Sequence, residues 1–105
     1  MSKDQVILGV DPGTLVTGYG IIRSKDRSWE PLDFGAIRPP HTVKGHERYF
    51  LIFEAIEHLI EQFQPDAVAV ETQFVYKNVQ SALKLGMARG AVIIAAARNK
   101  VEVFE

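Results

Sequence analysis

The 105-residue chain contains no cysteine. That absence excludes disulfides, thiolate-ligated zinc and a thiol nucleophile. Long apolar runs are missing as well: nothing approaches the roughly eighteen consecutive apolar residues that signal a membrane-spanning helix. Met1-Ser2-Lys3-Asp4 leads directly into β-branched sequence, without the apolar core and cleavage site of a secretory signal. A cytoplasmic, reducing home fits these absences, and no membrane partner is expected. Ser24, Ser28 and Ser81 lack the context of a nucleophile elbow, which disfavours serine hydrolase chemistry. His41, His46 and His58 show no metal-ligand spacing and read as surface residues.

A large net charge is also lacking, the formal value being −1, but the distribution is uneven. From Thr72 to Val101 there are five cations (Lys77, Lys84, Arg89, Arg98, Lys100) and no Asp or Glu. From Glu47 to Asp66 there are five acids against one Arg48. Such segregation can mark a nucleic-acid-binding face, or simply two solvated helix surfaces. The apolar share of 47% is too high for disorder, and the length predicts one domain, residues 1–105.

Apolar periodicity orders the elements. Val6 to Val10 is a short β-branched run that reads as a central strand covered on both faces. Asp11-Pro12-Gly13-Thr14 is turn chemistry. Thr17 to Arg23 and Trp29 to Arg38 read as strands, joined by the polar hairpin Ser24 to Arg27. Tyr49, Ile52, Phe53, Ile56, Leu59, Ile60 and Phe63 recur at spacings of three and four, which predicts a helix over roughly 44–64, stopped by Pro65. Ala67 to Val70 is a second buried strand. Asn78 is a good N-cap for a helix ending near Asn99, and Val101 to Phe104 begins another strand. The order β-β-β-α-β-α-β predicts an α/β fold: an antiparallel three-strand meander whose first strand is joined by parallel strands, with flanking helices.

Two of these strands share one design, an apolar stretch closed by a single acid: Asp11 after Val6 to Val10, and Glu71 after Ala67 to Val70. The C-terminal edge of such a sheet is where ligands bind. On parallel neighbouring strands both carboxylates would emerge at one place. Their mutual repulsion is relieved by a hard divalent cation, and Mg²⁺ is commonly held by one or two carboxylates plus phosphate oxygens. Pro12 and Gly13 bend the chain so that a phosphate can approach the backbone. The bland alternatives are a common Asp-Pro-Gly turn and an acid that merely ends a strand. These residues alone do not separate a nuclease from a phosphotransferase.

Longer stretches add information. Leu8-Gly-Val-Asp-Pro-Gly-Thr14 with Thr17-Gly-Tyr-Gly-Ile-Ile22, then Glu71-Thr-Gln-Phe-Val-Tyr-Lys-Asn78 and Ser81-Ala-Leu-Lys-Leu-Gly-Met-Ala-Arg-Gly90, closely resemble RuvC-type Holliday junction resolvases. Phe63-Gln-Pro-Asp66 and Val103-Phe-Glu105 match as well. The resemblance covers essentially the whole chain, in order and at family-like spacing. It implies a ribonuclease-H-like fold and a homodimeric endonuclease that cuts four-way DNA junctions symmetrically with Mg²⁺ or Mn²⁺, alongside a branch-migration helicase complex. The family's first two catalytic acids fall on Asp11 and Glu71, here expected to be both catalytic and metal-binding. Its remaining two acids lie on a C-terminal helix beyond Glu105, so residues 1–105 are expected to lack the C-terminal helices and to cleave little or not at all by themselves.

The resemblance places Phe74 at the position credited with stacking at the junction centre, a role open to an exposed aromatic beside a nuclease site. Lys77, Lys84 and Arg89 are the expected DNA phosphate contacts; the bland reading is a solvated helix surface. Gly86 and Gly90 cost helix stability, roughly 1 kcal/mol each against Ala, which suggests close approach by a partner helix or by the sheet. Two other functions stay open: a non-catalytic DNA-binding module on the same fold, and an actin-like ATP-binding phosphotransferase lobe, whose further Gly-rich phosphate loop the chain lacks.

Overall fold

The computed structural model describes residues 4–72 and 78–105. Its elements follow the order β1 (Val6–Asp11), β2 (Thr17–Lys25), β3 (Ser28–Ile37), α1 (His46–Phe63), β4 (Ala67–Val70), α2 (Val79–Arg98) and β5 (Glu102–Phe104). The five strands form one sheet in the order β3-β2-β1-β4-β5. β1 pairs antiparallel with β2 and parallel with β4, β2 pairs antiparallel with β3, and β4 pairs parallel with β5. This is the mixed sheet that the element order predicts.

Local chemistry sets the boundaries. The β2–β3 hairpin closes over Asp26 and Arg27, both at positive φ (49° and 69°), between the paired residues Lys25 and Ser28. Two central residues of that hand match the right-handed twist of the flanking strands. β3 is an edge strand, which lets it accommodate Pro31 beside an irregularity in its pairing with Ile21 and Ile22. Helix α1 ends at Phe63 because Gln64 turns left-handed and buried Pro65 cannot continue the helix. Asn78 caps α2 as expected, its side-chain oxygen accepting the Ser81 N–H at 2.8 Å. At the other end Asn99 donates from Nδ2 to Glu57 Oε2 at 2.9 Å and to the Ala95 carbonyl at 2.7 Å, which ties α2 to α1.

The core lies between one sheet face and the two helices. Leu8, Val10, Ile21, Val68 and Val70 meet Ile52, Ile56, Leu59 and Ile60 from α1, and Ala88, Val92, Ala95 and Ala96 from α2. Ile52 and Ile56 are fully buried, each worth about 1.5–3 kcal/mol relative to an exposed side chain.

The expectation that β1 is covered on both faces is corrected by the structure. Leu8 and Val10 are buried, but Ile7 and Gly9 on the opposite face are only partly so. Handedness explains the difference. The crossovers from β3 to β4 through α1 and from β4 to β5 through α2 step in the same direction across the sheet, and right-handed crossovers then place both helices on the same side. Among the described residues the other face stays open, floored by Gly9, Gly18, Gly20 and Ala69, with Ile22, Phe34 and Phe104 exposed around it.

Helix α2 is apolar on two sides. By length and composition alone it is apolar enough to cross a membrane, a test that the core helix of a globular fold also passes, and part of it is buried. One side is the core face just described. The other carries Val79, Leu83, Met87 and Ile94, which are 75%, 64%, 54% and 61% exposed. At 100° per residue these four fall with Gly86 and Gly90 into a single stripe opposite the core face.

Candidate active site

Asp11 and Glu71 are brought together by strand register. β1 and β4 run parallel with Val10 opposite Val70. The ladder continues one step further, because the Glu71 N–H donates to the Val10 carbonyl at 2.9 Å. Residues alternate faces along a strand. With Val10 and Val70 directed into the core, Asp11 and Glu71 both belong to the open face, and both are exposed. Asp11 lies opposite Gly18 of β2, and a Cβ built on Gly18 would be 3.9 Å from the Asp11 Cβ. The missing side chain leaves the space over the pair open.

These residues line an open groove of about 420 Å³. Its floor is Gly9, Gly18, Gly20 and Ala69, and its rim carries Asp11, Glu71, Phe104 and Glu105. Three parallel strands, β1, β4 and β5, thus end in an acid at the same edge. Glu105 is not a simple third ligand, since it forms an ion pair with Arg89. Among the described residues no group of three or more His, Cys, Asp or Glu side chains is placed to hold a metal ion. Two exposed carboxylates side by side suit one hard divalent cation completed by water and phosphate oxygens.

The turn after Asp11 is closely held. Thr17 is fully buried; its Oγ1 accepts the Gly13 N–H at 3.2 Å and donates to the Gly13 carbonyl at 2.9 Å. A Cβ at Gly13 would fall 2.2 Å from the Val16 carbonyl oxygen, so only glycine fits there. The expected role of Pro12-Gly13 as a sharp bend therefore has a steric basis. The part played by Thr17 is not legible in the sequence, because a lone Thr at a strand start carries no signal until its fold partner is known.

The remaining candidates lie around this edge. Phe74 and Lys77 fall outside the described residues. Lys84 is exposed on α2 and lines a cavity with Thr14, Leu15, His41, Lys44 and Arg48. Arg89 is half-buried, and besides pairing with Glu105 it borders a small cavity with Pro12, Glu71 and Thr72. Its Nε is buried without a hydrogen-bond partner. A Cβ added at Gly86 or Gly90 would meet nothing within 4 Å, so close approach by the sheet does not account for either.

Tyr19, which pairs with Val10 at this end of β2, donates its hydroxyl to Asp33 Oδ2 at 3.2 Å. Its pKa is raised above the usual phenol value, first by desolvation and then by the negative charge and hydrogen bond of Asp33.

Comparison with known proteins agrees with this architecture. The profile of the family described as crossover junction endodeoxyribonuclease RuvC matches residues 7–105. The chain is 53% identical over 105 residues to a crossover junction endodeoxyribonuclease RuvC of Protochlamydia amoebophila, covering all of this chain and 62% of that protein. The RuvC of Chlamydia caviae is 46% identical over 102 residues, 96% of this chain and 61% of that protein. The solved structure of Thermus thermophilus RuvC in complex with a Holliday junction substrate superposes with a TM-score of 0.85 at 31% identity, covering 94% of this chain and 62% of that one. The chain therefore spans about three-fifths of the length of the relatives it matches. With ordered motifs, sheet topology and family profile in agreement, the chain belongs to the RuvC family of crossover junction endodeoxyribonucleases.

Proposed function

We propose that this chain forms the greater part of a divalent-metal-dependent endonuclease domain that cuts four-way DNA junctions. The observation that carries this reading is the parallel β1–β4 register, which sets Asp11 and Glu71 at adjacent strand ends on one open face. In this reading Asp11 and Glu71 hold Mg²⁺, or Mn²⁺ in its place. A cation held there supplies charge neutralisation at the scissile phosphate and activation of the attacking water. The protein's own contribution is to fix the two carboxylates at the rim, to leave room over Gly18 and Gly20 for the strand being cut, and to hold the turn at Gly13.

Phe74 stacks on an unpaired base, and Lys77, Lys84 and Arg89 contact phosphates. Such contacts add sequence-independent affinity that falls with salt. Arg89 borders a small cavity with Glu71 and is paired with Glu105, so a phosphate there would exchange with that carboxylate. The exposed stripe on α2 is the homodimer face. Four exposed apolar side chains and two glycines with open space beside them suit a second helix packed closely against the first. A twofold dimer matches a substrate that needs two symmetric cuts, and the complete protein acts with a branch-migration helicase.

The test is cleavage of a synthetic four-way junction by the full-length protein. Asp11→Asn and Glu71→Gln should each abolish metal-dependent cutting while leaving junction binding in chelator intact. Undiminished cutting by both variants would remove Asp11 and Glu71 from the site, whereas no cutting by the wild-type protein would leave a DNA-binding fold.

A further inference from the structure

We infer that Arg48 is a positioning residue for Asp11, clamping the turn that carries the metal-binding carboxylate. The inference rests on the metal-binding role proposed for Asp11 above. Arg48 stands in the first turn of α1, thirty-four residues from Thr14 in sequence, yet its Nε donates to the Thr14 carbonyl at 2.6 Å. Nη1 donates to the carbonyls of Pro40 at 3.0 Å and Val43 at 2.9 Å, and Nη2 to that of Pro39 at 3.3 Å. One guanidinium thus gathers four main-chain carbonyls from two connections: the turn after Asp11 and the segment leading from β3 into α1.

The chemistry suits a clamp. Carbonyl oxygens at the ends of β-strands and in turns have no ladder partner, and each needs a donor. A planar fork with five N–H groups reaches several acceptors at fixed angles, which a lysine ammonium with three donors on a flexible stem does not reproduce. The turn is then held from both sides. Thr17 grips Gly13 from within, and Arg48 grips Thr14 from α1. Thr14 is three residues from Asp11, and a coordinating side chain has to stay within about 0.5 Å of its productive place. The same bonds turn the Arg48 guanidinium towards the protein, which sets it apart from neighbouring Lys44 and Lys84 in the cavity they share.

The test uses Arg48→Met and Arg48→Lys in the full-length protein, with four-way junction cleavage read as a function of Mn²⁺ concentration. The Mn²⁺ concentration for half-maximal cleavage should rise about tenfold or more in Arg48→Met, in the range seen when a metal ligand loses its support. Arg48→Lys should recover part of the loss, and junction affinity in chelator should stay within about twofold of wild type, since the clamp acts on the metal turn rather than on phosphate contacts. In parallel, exchange of the Gly13 amide, which Thr17 Oγ1 holds within the same turn, should accelerate in Arg48→Met of the 105-residue chain while the α1 interior keeps its protection. If the wild-type protein cuts junctions and Arg48→Met cuts with an unchanged metal requirement, the clamp is overturned even if the variant melts earlier. If the wild-type protein does not cut at all, the nuclease reading has failed instead, and unchanged exchange at the Gly13 amide would still overturn the clamp on its own.

Discussion

Glu71 donates its backbone N–H to the carbonyl of Val10, the residue before Asp11, at 2.9 Å. The bond continues the parallel β1–β4 register by one step, and the relative placement of the two acids follows from that register.

The 105-residue chain should bind a divalent cation weakly. Two carboxylates, with no third acid grouped with them among the described residues, place the affinity on the order of 10⁻⁴–10⁻³ M, the weak end for oxygen-ligand sites. Paramagnetic broadening by Mn²⁺ should map to Asp11 and Glu71 and vanish in Asp11→Asn. Junction cleavage by this chain alone should be at or near background. Tight binding, or robust cutting by residues 1–105, would show that further ligands support the pair.

Gly13→Ala should destabilise the fold. The added Cβ meets the Val16 carbonyl oxygen, a backbone atom that cannot swing aside. The expected loss is about 1–3 kcal/mol, as for other overpacked sites, read in urea or thermal unfolding. Gly86→Ala provides the contrast: its Cβ would stand in open space on a helix, so the monomer should gain stability, by up to about 1 kcal/mol.

Alkaline pH should weaken the fold through Tyr19. Its folded-state pKa is raised by desolvation and by Asp33. A raised pKa means that its contribution to stability is complete below the ordinary phenol value near 10 and is lost as pH climbs through the folded value. Tyr19→Phe should therefore flatten the decline in stability above about pH 10 while losing the hydrogen bond to Asp33. An unaltered alkaline limb in that variant would assign the decline to other groups.

Charge placed on the α2 stripe should prevent self-association. Leu83→Glu with Met87→Glu puts two carboxylates on side chains that are already exposed, so folding should survive. Sedimentation of the full-length protein should change from dimer to monomer, and paired cutting of a junction should decay into uncoupled single cuts. A dimer that persists through this change would move the interface to another surface.

Much of this arrangement is legible in the sequence. The element order, the Asn78 cap and the two strand-ending acids follow from apolar periodicity and from single residues whose chemistry is local. The open face is harder to see. Val6 to Val10 reads as uniformly apolar, and only the hand of the two crossovers shows that Leu8 and Val10 are covered by helices while Ile7 and Gly9 are not. The Arg48 clamp leaves no trace, because its partners are carbonyls, which every residue has. Arg89 reads as a cation available to DNA; its pairing with Glu105 depends on α2 and β5 meeting, which side-chain type does not announce.

The β1–β4 pairing also orders events in time. The hairpins joining β1, β2 and β3 close over short loops, whereas Val10 must find Val70, sixty positions further along the chain. Contacts at such separation carry the larger loop-closure cost and form late in folding. Asp11 is thus set in place early and waits for Glu71. During refolding, capture of a cation by the pair should lag the recovery of secondary structure, and a metal that binds only the finished edge will draw the population towards the correctly registered sheet by mass action.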